Sequence, residues 1–483
     1  MPGTGTRGSI LRHTIANLLG LGLPLVVAVF TIPVLIRHLG DERFGLLTLI
    51  WAVVGYFGLF DLGLGRALTQ QLAVHVARNE EDRVSRLVAT TVALLLALGV
   101  ASGALIAAGA PWAVSLLKEV SDPGDTISAL RVMGVAMPFV LLTSGLRGIL
   151  EARFAFGTLN AIRIPMGLFT FLGPLAVVML GSSRLTPIAW VLTLGRAVAC
   201  VAHAVAARRD LSIGAVDRAQ VRPLLASGGW MTVSNVVSPL MAYADRFIIG
   251  AVVSAGAVAF YTTPNEMITK IVIIPMALTA VLFPSFAQHV VTDRGAAWPL
   301  FVRAVEAVFL VTLPIALGLA LFAREILTLW VGAPFAAESA PVLRLFAVGI
   351  LFVCVAQVPF TLLQSANRAR VTAIVHCAIF PVYVVVLWQL TRRFGLVGAA
   401  TGWLVRNVVD TALMFHFGVR TVERPASAAG GGRALASGAA ATALFAGAFL
   451  DPTWMRGAVL AAGLAFVTWA GMPLLRRLVP SAS

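Results

Sequence analysis

Apolar residues run along this chain in blocks of roughly 18–25 positions, separated by short segments rich in Arg, Asp, Gly and Pro. A helix of that length crosses a hydrocarbon core about 30 Å thick. Strands of a membrane barrel would instead alternate polar and apolar residues with a period of about two, and the blocks are continuous. The pattern predicts helices over 14–36, 44–70, 87–110, 129–150, 164–181, 186–207, 226–250, 256–286, 299–323, 341–364, 371–390, 395–419, 434–450 and 457–475. The expected fold class is therefore an all-α polytopic membrane protein with about fourteen transmembrane helices. The longest loops on the outer side are expected near 111–128 and 324–340, and both are short.

The blocks also repeat. "LRVMGVAMPFVLLTSGLRGILEARFAF" from Leu130 aligns with "LRLFAVGILFVCVAQVPFTLLQSANRAR" from Leu343, an offset of about 213. "FGLLT" from Phe44 falls on "VAFYT" from Val258 at nearly the same spacing. "WVLTLGRAVA" and "TGWLVRNVVD" set Arg196 against Arg406 at an offset of about 210. Three ordered matches point to a parallel repeat, two pseudo-symmetric six-helix lobes related about an axis along the membrane normal. The expected organisation is a first lobe over 1–207, a cytoplasmic linker over 208–223 and a second lobe over 224–420. A Gly-rich loop and two appended helices follow over 421–483.

Composition agrees with a membrane span rather than a soluble core: 59 % of the 483 residues are hydrophobic and 12 % charged, too few charges to cover a soluble surface of this size. The net charge of +15 would suit nucleic acid, but its placement argues otherwise. With the N-terminus inside, nineteen arginines fall in cytoplasmic segments and eight lysines or arginines in the opposite loops. That bias sets both termini in the cytoplasm and an even number of spans. The first twenty residues lack a short apolar core followed by a small-residue cleavage site, so they read as a cytoplasmic tail. Cys200, Cys354 and Cys377 lie within apolar blocks without metal spacing.

Two like lobes suit a transporter working by alternating access. No HExxH, P-loop or Asp-rich diphosphate motif is present and the seven histidines are scattered, so neither an enzyme nor an ATPase is expected. No metal or cofactor site is expected; the energy source is an H+ or Na+ gradient, or the gradient of the substrate itself. A glycosyltransferase or polymerase would need a large polar loop bearing carboxylates, and the outer loops carry few acids.

Three stretches resemble the bacterial polysaccharide flippases that export O-antigen, teichoic-acid and exopolysaccharide precursors. This family lies within the multidrug/oligosaccharidyl-lipid/polysaccharide superfamily. The stretches are "VLIRHLGDERFGLLTLIWAVVGYFGLFDLGLGRALTQQLA" (34–73), "LRGILEARFAFGTLNAIRI" (146–164) and "LLASGGWMTVSNVVSPLMAYADRFIIGAVVSAGAVAFYTTPNEMITKIVIIPMALTAVLFPSFAQ" (224–288). The likeness covers about the first 420 residues. It implies a V-shaped pair of lobes with helices 13 and 14 appended. It further implies movement of an undecaprenyl-diphosphate-linked oligosaccharide from the cytoplasmic to the outer leaflet of the inner membrane. Glycosyltransferases or a polymerase of the same pathway are implied as partners, with no nucleic acid, and the chain is expected to act as a monomer. A peptidoglycan-precursor flippase and a multidrug/cation antiporter of the same superfamily are the alternatives.

Charges inside the spans name the candidate site, because an ionised side chain at mid-bilayer costs several kcal/mol unless it faces a cavity or a partner. At about 1.5 Å per residue, Arg196 and Arg406 each lie roughly 15 Å into a helix. Both are candidates for the diphosphate, since a guanidinium stays charged and pairs bidentately with phosphate oxygens. Alternatively Arg406 is neutralised by Asp410 at i, i+4, and Asp410 is itself a candidate ion-coupling or gate residue. Arg147, beside Glu151, is a candidate for first contact with the diphosphate, and Lys270 a further substrate contact. Glu266, four residues before Lys270 and between Pro264 and Pro275, either titrates as a proton-coupling group or forms a static salt bridge. Asp61, beside Gly63 and Gly65, is either a cation or proton site or a packing hydrogen bond. Asp245 is expected to face the cavity mouth as a gate or ion contact, with Arg246 turned to headgroups or the other lobe. Trp51, Trp190, Trp230, Trp298, Trp330 and Trp403 are expected to form aromatic belts at helix ends.

Overall fold

A helix stops where its backbone can no longer follow 3.6 residues per turn, and in this chain glycines at left-handed dihedrals mark several stops. The computed structural model describes residues 7–58, 61, 63–78, 80–211, 217, 229–292, 294–423, 440–441, 443–447, 450 and 453–478. The helices are α1 (Arg7–Gly58), α2 (Leu64–Ala77), α3 (Glu81–Ser115), α4 (Pro123–Ala152), α5 (Phe156–Met179) and α6 (Leu185–Ala206). They continue with α7 (Gly229–Val252), α8 (Ala255–Thr269), α9 (Ile273–Thr292), α10 (Arg294–Leu321) and α11 (Ala323–Val331). The last are α12 (Ala333–Ser365), α13 (Ala369–Val419) and α14 (Thr453–Leu478). Seven of the described helices, α3 to α6, α10, α12 and α13, are long and apolar enough to cross a membrane.

α1 joins the first two expected spans through Gly40 (φ 76°, ψ 168°), and α13 joins the eleventh and twelfth through Gly395 (φ 57°, ψ −136°). A side chain at either position would be strained, so each glycine turns the chain between two helical arms without a loop.

Three expectations need correction. The second span is not one helix over 44–70: it ends at Gly58 and resumes at Leu64, after Gly63 adopts φ 73°. The eighth span breaks at a 3-10 turn, Lys270–Val272, between α8 and α9, where Pro264 and Pro275 have already weakened the hydrogen-bond ladder. The expected outer loop near 324–340 is helical, occupied by α11 and the start of α12, which meet at Gly332 (φ 105°). Of the expected linker only 208–211 and 217 are described, and of the span 434–450 only 440–441, 443–447 and 450; the rest of both, and most of the Gly-rich loop, lie outside the described residues.

The repeat is written in the backbone. Left-handed residues recur 213 positions apart at Glu119 and Gly332 and at Phe154 and Asn367, and 214 apart at Gly181 and Gly395. α3 and α10 begin at 81 and 294, α4 and α12 end at 152 and 365, and α5 and α13 begin at 156 and 369. α6 and α13 end at 206 and 419, again 213 apart. This register differs from the 210 that matched Arg196 to Arg406. At 213 or 214, Arg196 falls on Val409 or Asp410, and Arg406 falls on Thr193 or Leu192. The two arginines are not equivalent, because a continuous helix allows no three-residue slip.

By packing, the chain divides into two units, 1–259 and 260–483. In the first, Leu64, Leu68 and Leu72 of α2, Leu87 and Leu95 of α3, and Leu141 and Ile149 of α4 form a buried core. α3 and α4 cross where Gly103 and Gly134 let the backbones approach: a Cβ on Gly134 would lie 2.7 Å from the carbonyl oxygen of Gly103. Small residues at a membrane helix crossing allow this approach. The α7–α8 turn docks on the α3–α4 loop, with Lys118 N–H donating to the Gly250 carbonyl (3.0 Å) and Ala255 N–H to the Lys118 carbonyl (3.0 Å). In the second unit the core is aromatic, Tyr261 against Phe346 and Phe346 against Trp403 with centroids 5.0 and 4.8 Å apart. Trp403 is therefore a buried core residue of α13 rather than a member of an aromatic belt.

Candidate functional site

α4, α5 and α6 enclose a cavity whose walls carry both polar and apolar side chains. This cavity, about 530 Å³, is lined by Thr143, Ser144, Arg147 and Glu151 of α4, by Asn160, Arg163 and Thr170 of α5, and by Arg196 and His203 of α6, with Phe156, Leu192 and Phe169 among the apolar walls. Counted along each helix from the 152–156 and 206 ends, Arg147 lies about 7 Å in, Arg163 about 10 Å and Arg196 about 15 Å. The three arginines thus stand at successively greater depth along the cavity wall.

Arg147 reaches Glu151 at 3.5 Å, one turn along α4. His203 is buried, and its Nδ1–H donates to the Ala199 carbonyl (2.7 Å), which leaves Nε2 as the acceptor. The hydroxyls of Thr143, Ser144 and Thr170 donate back to their own helices, so they offer the cavity lone pairs and little else. Arg196 stands apart: its Nε is buried with no hydrogen-bond partner, and no ion pair among the described residues neutralises it. Removing one unpaired guanidinium from water costs several kcal/mol. The arrangement recovers that cost when an anion with several oxygen acceptors occupies the cavity.

At the mouth, Arg153 pairs with Asp210 and ties the α4–α5 loop to the end of α6. Phe154, exposed and left-handed at φ 57°, stands on the same loop with its ring against Phe156 at 6.2 Å.

The remaining sequence candidates are elsewhere. Asp61 lies in the break before α2, where its carboxylate accepts from the N–H of Gly63 (2.9 Å) and Gly65 (3.4 Å). That is a helix-capping role, filling donors the first turn leaves open. Glu266 and Lys270 form a salt bridge at 3.0 Å, half-exposed, across the end of α8. Asp245 and Arg246 are both buried, 2 % and 6 % exposed, which corrects the expectation that Arg246 reaches headgroups. Asp245 accepts from the Arg246 backbone N–H (2.8 Å), and the Arg246 guanidinium sits over the Tyr243 ring at 5.1 Å.

Arg406 donates to Asn407 Oδ1 (2.9 Å) and lies 5.2 Å over the Tyr383 ring. Asp410 faces His376 instead, with Nε2 and Oδ1 3.3 Å apart. Two residues were missed as site candidates, Arg163 and His376. They stand 213 positions apart, as do His203 and His416, and holding the repeat at one register would have exposed both pairs. Among the described residues no cluster of His, Cys, Asp and Glu could hold a metal.

Comparison with known proteins places this architecture. The family model described as "Polysaccharide biosynthesis protein" matches residues 9–290. The chain is 30 % identical over 409 residues to the "Putative O-antigen transporter" of Shigella flexneri, covering 84 % of this chain and 97 % of that one. Its fold is similar to a multidrug resistance MATE family transporter of the MOP superfamily solved in an inward-facing conformation. There the TM-score is 0.73 at 15 % identity, over 84 % of this chain and 98 % of the other. It is also similar to the lipid II flippase MurJ, with a TM-score of 0.67 at 12 % identity over 97 % and 100 % of the two chains. The helices expected from the hydrophobic pattern, the internal repeat and these likenesses agree: the chain is a multi-pass membrane transporter of the polysaccharide biosynthesis protein family, with the fold of the MOP superfamily.

Proposed function

We propose that this transporter is a flippase. Its substrate is an undecaprenyl-diphosphate-linked oligosaccharide repeat unit, carried from the inner to the outer leaflet of the bacterial cytoplasmic membrane for assembly of a cell-surface polysaccharide. The carrying observation is Arg196, unpaired on the floor of a cavity that also presents Arg147 and Arg163. A diphosphate offers oxygen acceptors to such an arrangement and a guanidinium binds them bidentately. The name of the Shigella relative supports an O-antigen class of cargo. A multidrug cation would need acids here, and among the described residues lining the cavity Glu151 is the only carboxylate, already beside Arg147.

In this reading both termini and the Phe154 loop face the cytoplasm, so the cavity mouth meets the substrate on the side where it is made. The mouth residues Arg147 and Arg163 take the diphosphate first, Arg196 draws it inward, and alternation between conformations releases it outside.

The test is surface polymer in a host whose own transporter gene is deleted. Arg196→Ala is expected to lower export about 10–100-fold, the worth of one or two charge-assisted hydrogen bonds, with the protein still inserted in the membrane. Arg196→Lys recovers part of it, keeping the charge but not the fork. Normal polymer from Arg196→Ala overturns the assignment.

A further inference from the structure

In the second repeat, an acid–base pair stands where the first repeat's cavity carries arginines. Arg163 of α5 corresponds to His376 of α13 at 213 residues, and Asp410 follows by one the position of Arg196, which falls on Val409. His376 Nε2 and Asp410 Oδ1 are 3.3 Å apart, and both side chains are about four-fifths buried, at 19 % and 22 % exposure. Phe360 of α12 stacks on the imidazole, with centroids 6.5 Å apart and planes 16° from parallel. Phe360 occupies the position of Arg147, and Gln364 that of Glu151.

Among the described residues, few other charges lie near the pair. On α12 they are Glu338 and Arg344, sixteen or more positions before Phe360, about 24 Å along the helix. On α13, Arg370 precedes His376 by six residues, Cys377 follows it, and His416 lies six beyond Asp410. Arg406, one turn before Asp410, donates to Asn407 and covers Tyr383.

We infer that His376 and Asp410 form the proton-binding site of this transporter, the second repeat's counterpart of the arginine cavity. Asp410 Oδ1 is buried and makes no hydrogen bond; with a neutral imidazole and an ionised carboxylate the pair carries one negative charge, and one proton taken up across the 3.3 Å between Nε2 and Oδ1 makes it neutral overall. In apolar surroundings that change favours one helix arrangement over another, so proton binding and release bias the transport cycle. The inference rests on the transport reading for its purpose but not for its chemistry, and two measurements separate them.

The first uses the purified full-length protein in lipid nanodiscs without buffer, dropped from pH 8 to pH 5.5 with a pH-sensitive dye. Asp410→Asn and His376→Gln are each expected to take up about one proton fewer per molecule than the parent. Uptake equal to the parent in both overturns the site. The second follows surface polymer in cells at external pH 5.5 to 8. Asp410→Asn is expected to export at a rate that no longer follows the pH gradient, and Asp410→Glu to restore the dependence.

If the pair is only structural, Asp410→Asn lowers the amount of protein and leaves the pH profile unchanged, which also overturns the inference. Arg196→Ala serves as the control, since it keeps the full proton uptake while losing export. Should Arg196→Ala export normally, the diphosphate reading falls and the proton result stands alone.

Discussion

At positions 213 apart one repeat carries Arg163 and His203 and the other His376 and His416, with Asp410 one residue beyond the place of Arg196, and the helices bearing them start and stop at the same spacing. The backbone was kept while the chemistry diverged, from a cavity rich in cations to a histidine–aspartate pair under an aromatic ring. A duplicated fold tolerates this because the helix ends are set by local chemistry that does not involve the site. Left-handed residues at 119, 154 and 181 and their partners at 332, 367 and 395 do that work in both copies. The site residues lie in the interiors of the helices, where substitution costs little backbone strain and changes only what the space between helices can hold.

The largest effect should come from giving the first repeat the second repeat's charge. Arg196→Asp places a carboxylate on the cavity floor, about 15 Å from the mouth. Repulsion is then added to the lost contact, so export should fall below that of Arg196→Ala and below detection in the surface-polymer assay, with membrane insertion retained. Equal export from the Asp and Ala variants would mean that the anion never reaches this depth.

The next effect concerns packing. Gly103 and Gly134 of the first repeat correspond to Ala316 and Ala347 of the second, both fully buried. Gly134→Leu should push α3 and α4 apart and cost about 1–3 kcal/mol, the usual range for overpacking, seen as a lower unfolding temperature in detergent. Ala347→Gly should cost about 1 kcal/mol through helix propensity alone. If Gly134→Leu is neutral, the close crossing has been given more weight than it carries.

A smaller effect distinguishes the two α-helical connections at 154 and 367. Both positions are left-handed, but the second repeat has Asn, which tolerates that region, and the first has Phe, which does not. Phe154→Asn should therefore stabilise the protein by up to about 1 kcal/mol, and Asn367→Phe should destabilise it by a similar amount. A loss of stability in Phe154→Asn would show that the exposed ring makes contacts outweighing its backbone strain, with Phe156 or with the lipid surface.

Much of this was legible beforehand, for a physical reason: a bilayer imposes a length and a polarity on every span, so the hydrophobic blocks report helices directly. What hydropathy cannot report is where a helix breaks without leaving the membrane. The interruptions just before Leu64 and at 270–272 lie inside apolar blocks, and only Gly63 and the flanking Pro264 and Pro275 hinted at them. The site was half legible. Arg147 and Arg196 stood out as charges in apolar runs, and the cavity joins them. Arg163 was counted among topogenic arginines because α5 begins eight residues before the expected start at 164, which moved it from a loop into a helix. Asp245 and Arg246 stood out equally and are buried together, which shows that a rare charge marks a constraint without saying whether it is substrate or packing.

The smallest effect tests the comparison at the α2–α3 connection. In the first repeat Glu80 precedes α3, accepts from His75 Nδ1 at 2.6 Å, and lies 3.3 Å from Arg83. The histidine hydrogen bond, then the neighbouring arginines, hold its carboxyl below the usual range. A carboxyl depressed in the folded state contributes stability above its unfolded value, and the contribution is lost as pH falls through the folded one. Glu80→Gln should thus lower the unfolding temperature slightly at pH 7, and the difference should shrink as the pH falls through the depressed folded-state value. Since this connection is exposed, raising the salt concentration should shrink the pH 7 difference. A difference that does not shrink as the pH falls, or that ignores salt, would assign Glu80 a packing role and leave the His75 contact incidental.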